Sequence, residues 1–354
     1  GLIKSAASDV PRIDFSDSTN GALLLEPAST NLVPYSEDLT QSSWLKINGG
    51  TGVSPSITSN YAISPDGTQN ASRVILDAPL VSASNLSMIR TNVNGLPTPH
   101  NSSTSFYIKS NTVDNYTLLF YNGSLNPIKI IANSSWQRIE LSTIVSTSSD
   151  RIHLGLWDFG GVLTGSYADV SIWGAQLEQN SFSTSYIPTQ GSATTRLADV
   201  CNNSGSAQDF NSEEGVLYIE AKVKSDSNSS INSIGISNGT DSNRLSIIMY
   251  GNSDLIRANM NVSSVSQFDF LQYGNNPEQY YKIAVSYKQN DCKIFINGVK
   301  VGVDISATMP SLGTFGRLNL DLGQGSYDFY GKVKDIQVFT TALTDEQLAA
   351  LTTI

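Results

Sequence analysis

The fold is decided by residues 281–301, which read YKIAVSYKQNDCKIFINGVKV. Tyr281, Ile283 and Val285 alternate with polar or small residues, and a period of two is typical of a half-buried β-strand. A second β-rich run ends at Asn297-Gly298, after which a third begins. Because both central residues of a type I′ turn need positive φ, Asn-Gly between two such runs is a strong hairpin signal. The stretch therefore predicts strands joined by a tight turn.

The same alternation recurs before and after this stretch, along the whole chain, with clusters of Asn, Ser, Gly and Pro between the strands. Predicted strands lie at 105–110, 116–121, 128–132, 136–142, 151–157, 168–173 and 216–223. One helix is predicted at 344–351, where Thr344 and Gln347 make a capping box. Short strands at regular spacing predict an all-β fold of two consecutive β-sandwich, jelly-roll domains with one short C-terminal helix.

The chain of 354 residues is long enough for two domains that each bury a core. Pro, Gly, Asn and Ser interrupt the strand pattern between Pro188 and Glu214. We therefore expect a first domain at 31–190 and a second at 191–354. Residues 1–30 read as an N-terminal lead-in with two short strands, which we expect to belong to an upstream neighbour.

Charge and hydropathy exclude two classes of partner. The net charge is −10 and no run of Lys or Arg occurs, so nucleic acid is not an expected partner. The longest apolar stretches are far shorter than the roughly 20 residues of a membrane-spanning helix, so membrane insertion is not expected either. Residues 1–5 lack the features of a secretory signal, and with no initiator methionine we expect a processed fragment.

The residues do not indicate catalysis. Glycanases of sandwich fold need two carboxylates on one strand face, whereas the closely spaced acids lie at a strand entry and a helix cap. Neither His100 nor His153 has a second histidine or a cysteine at metal-ligand spacing, and both are expected to be structural or at the surface. We expect a protein that is not an enzyme and has no cofactor, with calcium as the exception considered next.

Calcium is the one ion that the loops favour, because oxygen-rich loops in sandwich domains often hold it. Asp241 and Asn243, in the loop 238–243, are the candidate ligands, with Asp158 and Asp169 in the first domain as further candidates. The alternative is that they are ordinary turn residues.

Sugar recognition usually combines an aromatic platform with polar groups on a concave face or loop tip. Trp157 and Trp173 lie within strand patterns, so we expect them in the core. The candidate ligand-binding residues are the loop aromatics Tyr121, Tyr250, Tyr273 and Tyr327.

Two segments of the first half resemble a known family. Residues 21–38, GALLLEPASTNLVPYSED, with Trp44 following, are similar to a segment of bacteriophage tail and tail-fibre or tail-spike proteins. So are residues 173–178, WGAQLE, with 184–189, TSYIPT. In that family the pair brackets a jelly roll similar to carbohydrate-binding modules.

The second half resembles a concanavalin A-like, laminin-G-like sandwich. The resemblance is carried by residues 282–287, 294–298 and 331–339, followed by the short terminal helix. This fold hosts lectins, adhesion modules and glycanases alike, so it does not by itself decide the function.

The two resemblances imply a virion module that binds glycan on the host-cell surface. They imply a homotrimer, other virion proteins as partners, and a location on the virion, extracellular after release. Two alternatives stay open: a structural protein that only spaces or decorates the virion, and the binding module of a secreted polysaccharide-active enzyme.

Overall fold

The computed structural model describes residues 3–7, 9–79, 83–123, 127–159, 164–224 and 231–354. The described chain is all-β with one short helix, as predicted. In chain order the elements are β1 (Ile13–Asp14), β2 (Ala22–Leu25), β3 (Ser29–Asn31), β4 (Leu45–Gly49), β5 (Val53–Ala62), β6 (Ala71–Asp77), β7 (Leu86–Asn94), β8 (His100–Ser110), β9 (Tyr116–Tyr121), β10 (Ile128–Ala132), β11 (Gln137–Val145), β12 (Ser149–Leu156), β13 (Tyr167–Glu178), β14 (Thr194–Arg196), β15 (Glu214–Val223), β16 (Ile231–Ser237), β17 (Arg244–Tyr250), β18 (Ile256–Val262), β19 (Val265–Gln272), β20 (Tyr281–Lys288), β21 (Cys292–Ile296), β22 (Val299–Asp304), β23 (Arg317–Asn319), β24 (Gly331–Phe339) and α1 (Asp345–Thr352).

The chain divides into two compact units. The first sandwich comprises Ala28–Leu197 together with Gly1–Ser5, and the second sandwich comprises Ala6–Pro27 together with Ala198–Ile354. This division differs from the predicted lead-in and domain bounds. The first sandwich is inserted into the second, between β2 and β15.

The reason for the difference is a long-range strand pairing. Strand β2 hydrogen-bonds to β24 in antiparallel register, with Leu23 opposite Val333 and Leu25 opposite Gly331. The backbone groups of β24 need a partner along this edge, and β2 supplies it. Period-two patterning reveals that a strand exists but not which distant strand pairs with it.

The first sandwich packs two antiparallel sheets face to face. Sheet I has the strand order β10-β9-β12-β7-β4, and sheet II the order β11-β8-β13-β6-β5. Their inner faces bury a shared apolar core, in which Phe106 of sheet II meets Phe120 of sheet I edge to face with ring centroids 4.9 Å apart. A two-stranded ladder of β3 and β14 joins the two ends of this unit, pairing Ser29 with Arg196.

The second sandwich packs a seven-stranded sheet, β1-β2-β24-β15-β20-β21-β22, on a five-stranded sheet, β19-β18-β17-β16-β23. The predicted hairpin is confirmed, because Asn297 and Gly298 both have positive φ and Ile296 is paired with Val299. The predicted helix and its capping box are confirmed too. Leu348 of α1 is fully buried against the outer face of the seven-stranded sheet. Among the described helical residues, no segment is long and apolar enough to cross a membrane.

Candidate functional site

The candidate site lies on the outward face of sheet I. Along β12, Ile152 and Leu154 point into the core of the sandwich. Because side chains alternate between the two faces of a strand, Arg151, His153 and Gly155 face the other way. Trp157 follows at the end of β12 and continues the outward row. The strand that fills the core therefore also presents a second row of side chains.

Cross-strand pairing assembles an aromatic cluster around His153. His153 is directly opposite Tyr121 of β9, and their ring centroids are 4.3 Å apart. Phe159 stacks on Tyr121 with centroids 5.6 Å apart and ring planes 9° from parallel. The ring centroids of Trp157 and Phe159 are 4.7 Å apart. We call Tyr121, His153, Trp157 and Phe159 the aromatic cluster.

The four rings differ in exposure. Tyr121 and His153 are only 3% and 4% exposed, whereas Trp157 and Phe159 are half-buried. The indole N–H of Trp157 donates to the carbonyl oxygen of Ala83 at 3.2 Å, which fixes one edge of the ring. The half-buried rings are thus held in place while part of their surface stays open to solvent.

The position of His153 makes its imidazole neutral. Burial, together with the positive charges of Arg90 and Arg151, lowers the pKa of His153 to about 3. Neither ring nitrogen has a hydrogen-bond partner among the described residues, although both are buried. A buried polar group without a partner costs about 1–3 kcal/mol, so the cluster holds unused hydrogen-bonding capacity.

Two guanidinium groups flank this imidazole. Arg90 of β7 is directly opposite His153, and Arg151 lies on the same face of β12. Both arginines are half-buried, and the Nε atom of each is buried without a hydrogen-bond partner in the described part of the chain. The outward face of sheet I therefore combines aromatic rings, a neutral imidazole and two cationic groups.

A groove elsewhere on the first sandwich is a weaker candidate. It has a volume of about 180 Å³ and is lined by Ala28, Ser29, Thr30, Leu32, Gln179, Asn180 and Thr195. Ligand pockets usually measure about 300–1,000 Å³ and are lined by aromatic groups, which this groove lacks.

The structure brings one of the four predicted ligand-binding tyrosines, Tyr121, into the aromatic cluster. The other three belong to the second sandwich. Tyr250 ends β17 and lies beside Arg257, whereas Tyr273 and Tyr327 are exposed in loops. No ring contact joins these three tyrosines within the described ranges, so they do not form a common platform.

The predicted calcium ligands already have protein partners. The carboxylate of Asp241 forms an ion pair with Arg244. The side-chain oxygen of Asn243 accepts a hydrogen bond from the backbone N–H of Ser263 at 2.9 Å. No group of three or more His, Cys, Asp or Glu side chains suited to a metal occurs among the residues described. Calcium binding at Asp241 and Asn243 stays a prediction.

The motif residues 173–178 and 184–189 form a buried polar network. The carboxylate of Glu178 is fully buried and accepts hydrogen bonds from Gln176, from the hydroxyl and backbone N–H of Thr184, and from Ser29. Asn31 donates to the carbonyl oxygens of Ala175 and Ile187 at 3.1 and 2.8 Å. These motif residues hold the ends of the first sandwich together and leave no polar atom of Glu178 for a ligand.

Sequence reasoning missed most of the candidate site. Trp157 was expected in the core, but it lies outside the core cluster and half-buried. The prediction that Trp173 lies in the core is confirmed, because its side chain is 1% exposed and packs against Tyr186 with ring centroids 4.3 Å apart. The prediction that His153 is structural or at the surface is not contradicted, since its ring is 4% exposed, but its packing against Tyr121 was not predicted. The available signal was the alternation itself, because Arg151, His153 and Trp157 occupy the odd positions of a strand whose even positions are aliphatic.

Most of the second sandwich matches a known protein family. Residues 206–349 match the family described as the concanavalin A-like lectin/glucanases superfamily, of laminin-G type. Over these residues the second sandwich is therefore similar to concanavalin A-like, laminin-G-like domains. No curated protein sequence matches the chain.

Solved structures that resemble parts of the chain include a pentraxin from Limulus polyphemus, with 14% identity and a TM-score of 0.32. The matched region covers 42% of this chain and 72% of the pentraxin chain. A tandem of carbohydrate-binding modules from Xyn10C of Paenibacillus barcinonensis has 10% identity and a TM-score of 0.32, covering 89% of this chain and 99% of its own. Chicken galectin 2 has 15% identity and a TM-score of 0.27, covering 38% and 95% respectively.

Proposed function

We propose that the chain is a non-catalytic module that binds glycan on the host-cell surface and so attaches a virion to its host. One observation carries the proposal: the outward face of sheet I, where half-buried aromatic rings lie beside polar groups that have no described protein partner. Sugar sites combine these two elements, since the ring face covers the apolar side of a sugar and the polar groups bind its hydroxyls.

Two further points support the proposal, one for a carbohydrate ligand and one for a location of this module on a virion. The family matched by the second sandwich is named for lectins and glucanases. The motif segments of the first sandwich resemble those of phage tail fibres and spikes. A homotrimer of such modules would present several weak sites at once, and multivalency raises avidity by 10²–10⁴-fold without new contacts.

The proposed role does not include hydrolysis. Glycoside cleavage uses two carboxylates about 5–10 Å apart. The aromatic cluster and the two arginines beside it contain imidazole, phenol, indole, phenyl and guanidinium groups and no carboxylate. These groups bind a sugar but do not supply an acid and a nucleophile for its glycosidic bond.

The test is a glycan array and a panel of bacterial cells, probed with the whole chain and two variants. Trp157→Ala removes a half-buried ring of the aromatic cluster. Trp136→Ala is the matched control, because Trp136 is also half-buried in the first sandwich and its indole N–H also donates to a backbone carbonyl, that of Ile63. We expect saturable binding that falls at least tenfold in Trp157→Ala and less than twofold in Trp136→Ala.

Other outcomes would favour the alternatives. Absence of binding to every glycan and every cell, even when the chain is clustered on beads, would leave the structural virion role. Release of new reducing ends from a bound polysaccharide would establish an enzyme. Light scattering of the eluted protein tests the homotrimer, for which we expect three times the mass of the 38.1 kDa chain.

A further inference from the structure

Arg90 and Arg151 form a close pair of positive charges on the outward face of sheet I. His153 is opposite Arg90 in the β12–β7 register, and Arg151 is opposite Asn92. The two arginines are therefore diagonal neighbours, for which Cβ atoms are typically about 7 Å apart. Two long cationic side chains at this separation repel each other unless an anion lies between them.

No carboxylate among the described residues fills this role. Among the described residues, neither Arg90 nor Arg151 has an ion pair or a side-chain hydrogen bond, and both Nε atoms are buried without a partner. By contrast, two guanidinium nitrogens of Arg73 donate to the carboxylate of Asp169, and two of Arg257 donate to the carboxylate of Asp269. Acidic residues outnumber basic ones in this chain, which has a net charge of −10, so two neighbouring arginines without a described carboxylate partner are unusual in it.

The surroundings of the pair select the kind of anion. Trp157 and Phe159 offer half-buried ring faces in the same cluster, and such faces pack against sugar rings. His153 is nine-tenths buried beside the two arginines, and neither of its ring nitrogens has a hydrogen-bond partner among the described residues.

We propose that Arg90 and Arg151 bind the carboxylate of an acidic sugar whose ring packs against Trp157 and Phe159. A guanidinium matches a carboxylate with two parallel N–H···O bonds, which gives both affinity and orientation. The inference rests on the proposed function and specifies its ligand class: a glycan with uronic-acid or sialic-acid residues. Free phosphate and protein carboxylates lack the sugar ring and bind less tightly.

The experiment compares matched acidic and neutral probes. The first pair is de-esterified homogalacturonan oligosaccharide and the same oligosaccharide fully methyl-esterified; the second pair is sialyllactose and lactose. Polyglutamate serves as a polyanion without sugar. Affinities are measured by calorimetry or biolayer interferometry with the whole chain at two salt concentrations.

Two variants locate the effect. Arg90→Gln removes one charge of the pair, and Lys129→Gln removes one charge from β10 of the same sheet. Lys129 is exposed, so it is a control for net charge on this sheet. We expect one acidic probe to bind at least tenfold more tightly than its neutral counterpart. Arg90→Gln should lower that affinity at least tenfold and Lys129→Gln less than twofold.

Each alternative result overturns a specific statement. Equal affinity for the acidic and neutral members of both pairs, with loss in Trp157→Ala, would refute the acidic ligand and keep the proposed glycan function. Polyglutamate binding as tightly as the acidic sugars would refute the sugar. Absence of binding to every probe would refute the acidic-sugar inference, whereas the glycan function itself is refuted only by absence of binding on the glycan array and the cell panel. Melting curves of the variants, followed by tryptophan fluorescence, separate loss of binding from loss of folding.

Discussion

The neutral state of His153 predicts how the stability of the first sandwich changes with pH. The perturbation is a change from pH 7 to pH 5, applied to the natural chain and to His153→Gln. In the folded protein, burial and the two neighbouring arginines lower the pKa of His153 to about 3. The unfolded chain has the ordinary histidine pKa, about 6.5.

The direction of the change in stability follows from the difference in proton uptake between the folded and unfolded states. Below pH 6.5 the unfolded state takes up a proton at His153 that the folded state does not take up until about pH 3, so acid favours unfolding. One unit of pH is worth about 1.4 kcal/mol in this window, and titration is incomplete near pH 6.5. The free energy of unfolding should therefore fall by about 2 kcal/mol between pH 7 and pH 5.

The assay is urea denaturation followed by tryptophan fluorescence. The tryptophans of the chain, Trp44, Trp136, Trp157 and Trp173, all belong to the first sandwich, so the signal reports on that unit. Carboxylates titrate mainly below pH 5 and contribute little in this window. His153→Gln should lose most of the pH dependence. If the natural chain and the variant have the same pH dependence within about 0.5 kcal/mol, the reasoning about the buried imidazole is refuted.

Two further predictions concern the two cores. Phe106→Ala removes a fully buried ring between sheets I and II, and we expect it to lower the free energy of unfolding by about 3–5 kcal/mol, measured by the same fluorescence titration; a loss below about 1 kcal/mol would contradict the described packing. Burial raises the pKa of the Cys292 thiol to about 11, so it should resist a thiol reagent at pH 8 until urea unfolds the second sandwich, whereas half-buried Cys201 reacts first. Mass spectrometry of labelled peptides measures the order, and equal labelling of both thiols in the native protein would contradict the burial of Cys292.

Local signals in the sequence were sufficient for the elements of the fold. The strand β20, the Asn297-Gly298 turn and the capping box of α1 depend on residues within a few positions of one another. The pairing of β2 with β24 does not, because nothing near Leu23 indicates a partner near Val333. Single-sequence patterns specify strands and turns, whereas the pairing of distant strands depends on the whole packed structure.

The candidate site shows a related limit. Tyr121 could be named from its type, but its contacts with His153 and Phe159 depend on the β12–β9 register and on the chain after β12. The sequence also does not indicate that Arg90 and Arg151 have no carboxylate partner among the described residues, since that depends on every side chain nearby. An unpaired charge is a property of three-dimensional surroundings.

The insertion of one sandwich within the other also affects the order in which the chain matures on the ribosome. Ala22–Leu25 leaves the exit tunnel early, but its hydrogen-bonding partner Gly331–Phe339 is made near the end of translation. The inserted unit, whose ends are joined by the pairing of Ser29 with Arg196, is complete long before then and can fold first. Throughout that interval Leu23, Leu24 and Leu25 lie on an apolar strand whose edge toward β24 has no partner. Nascent chains stalled before Gly331 should therefore be the form most dependent on chaperones.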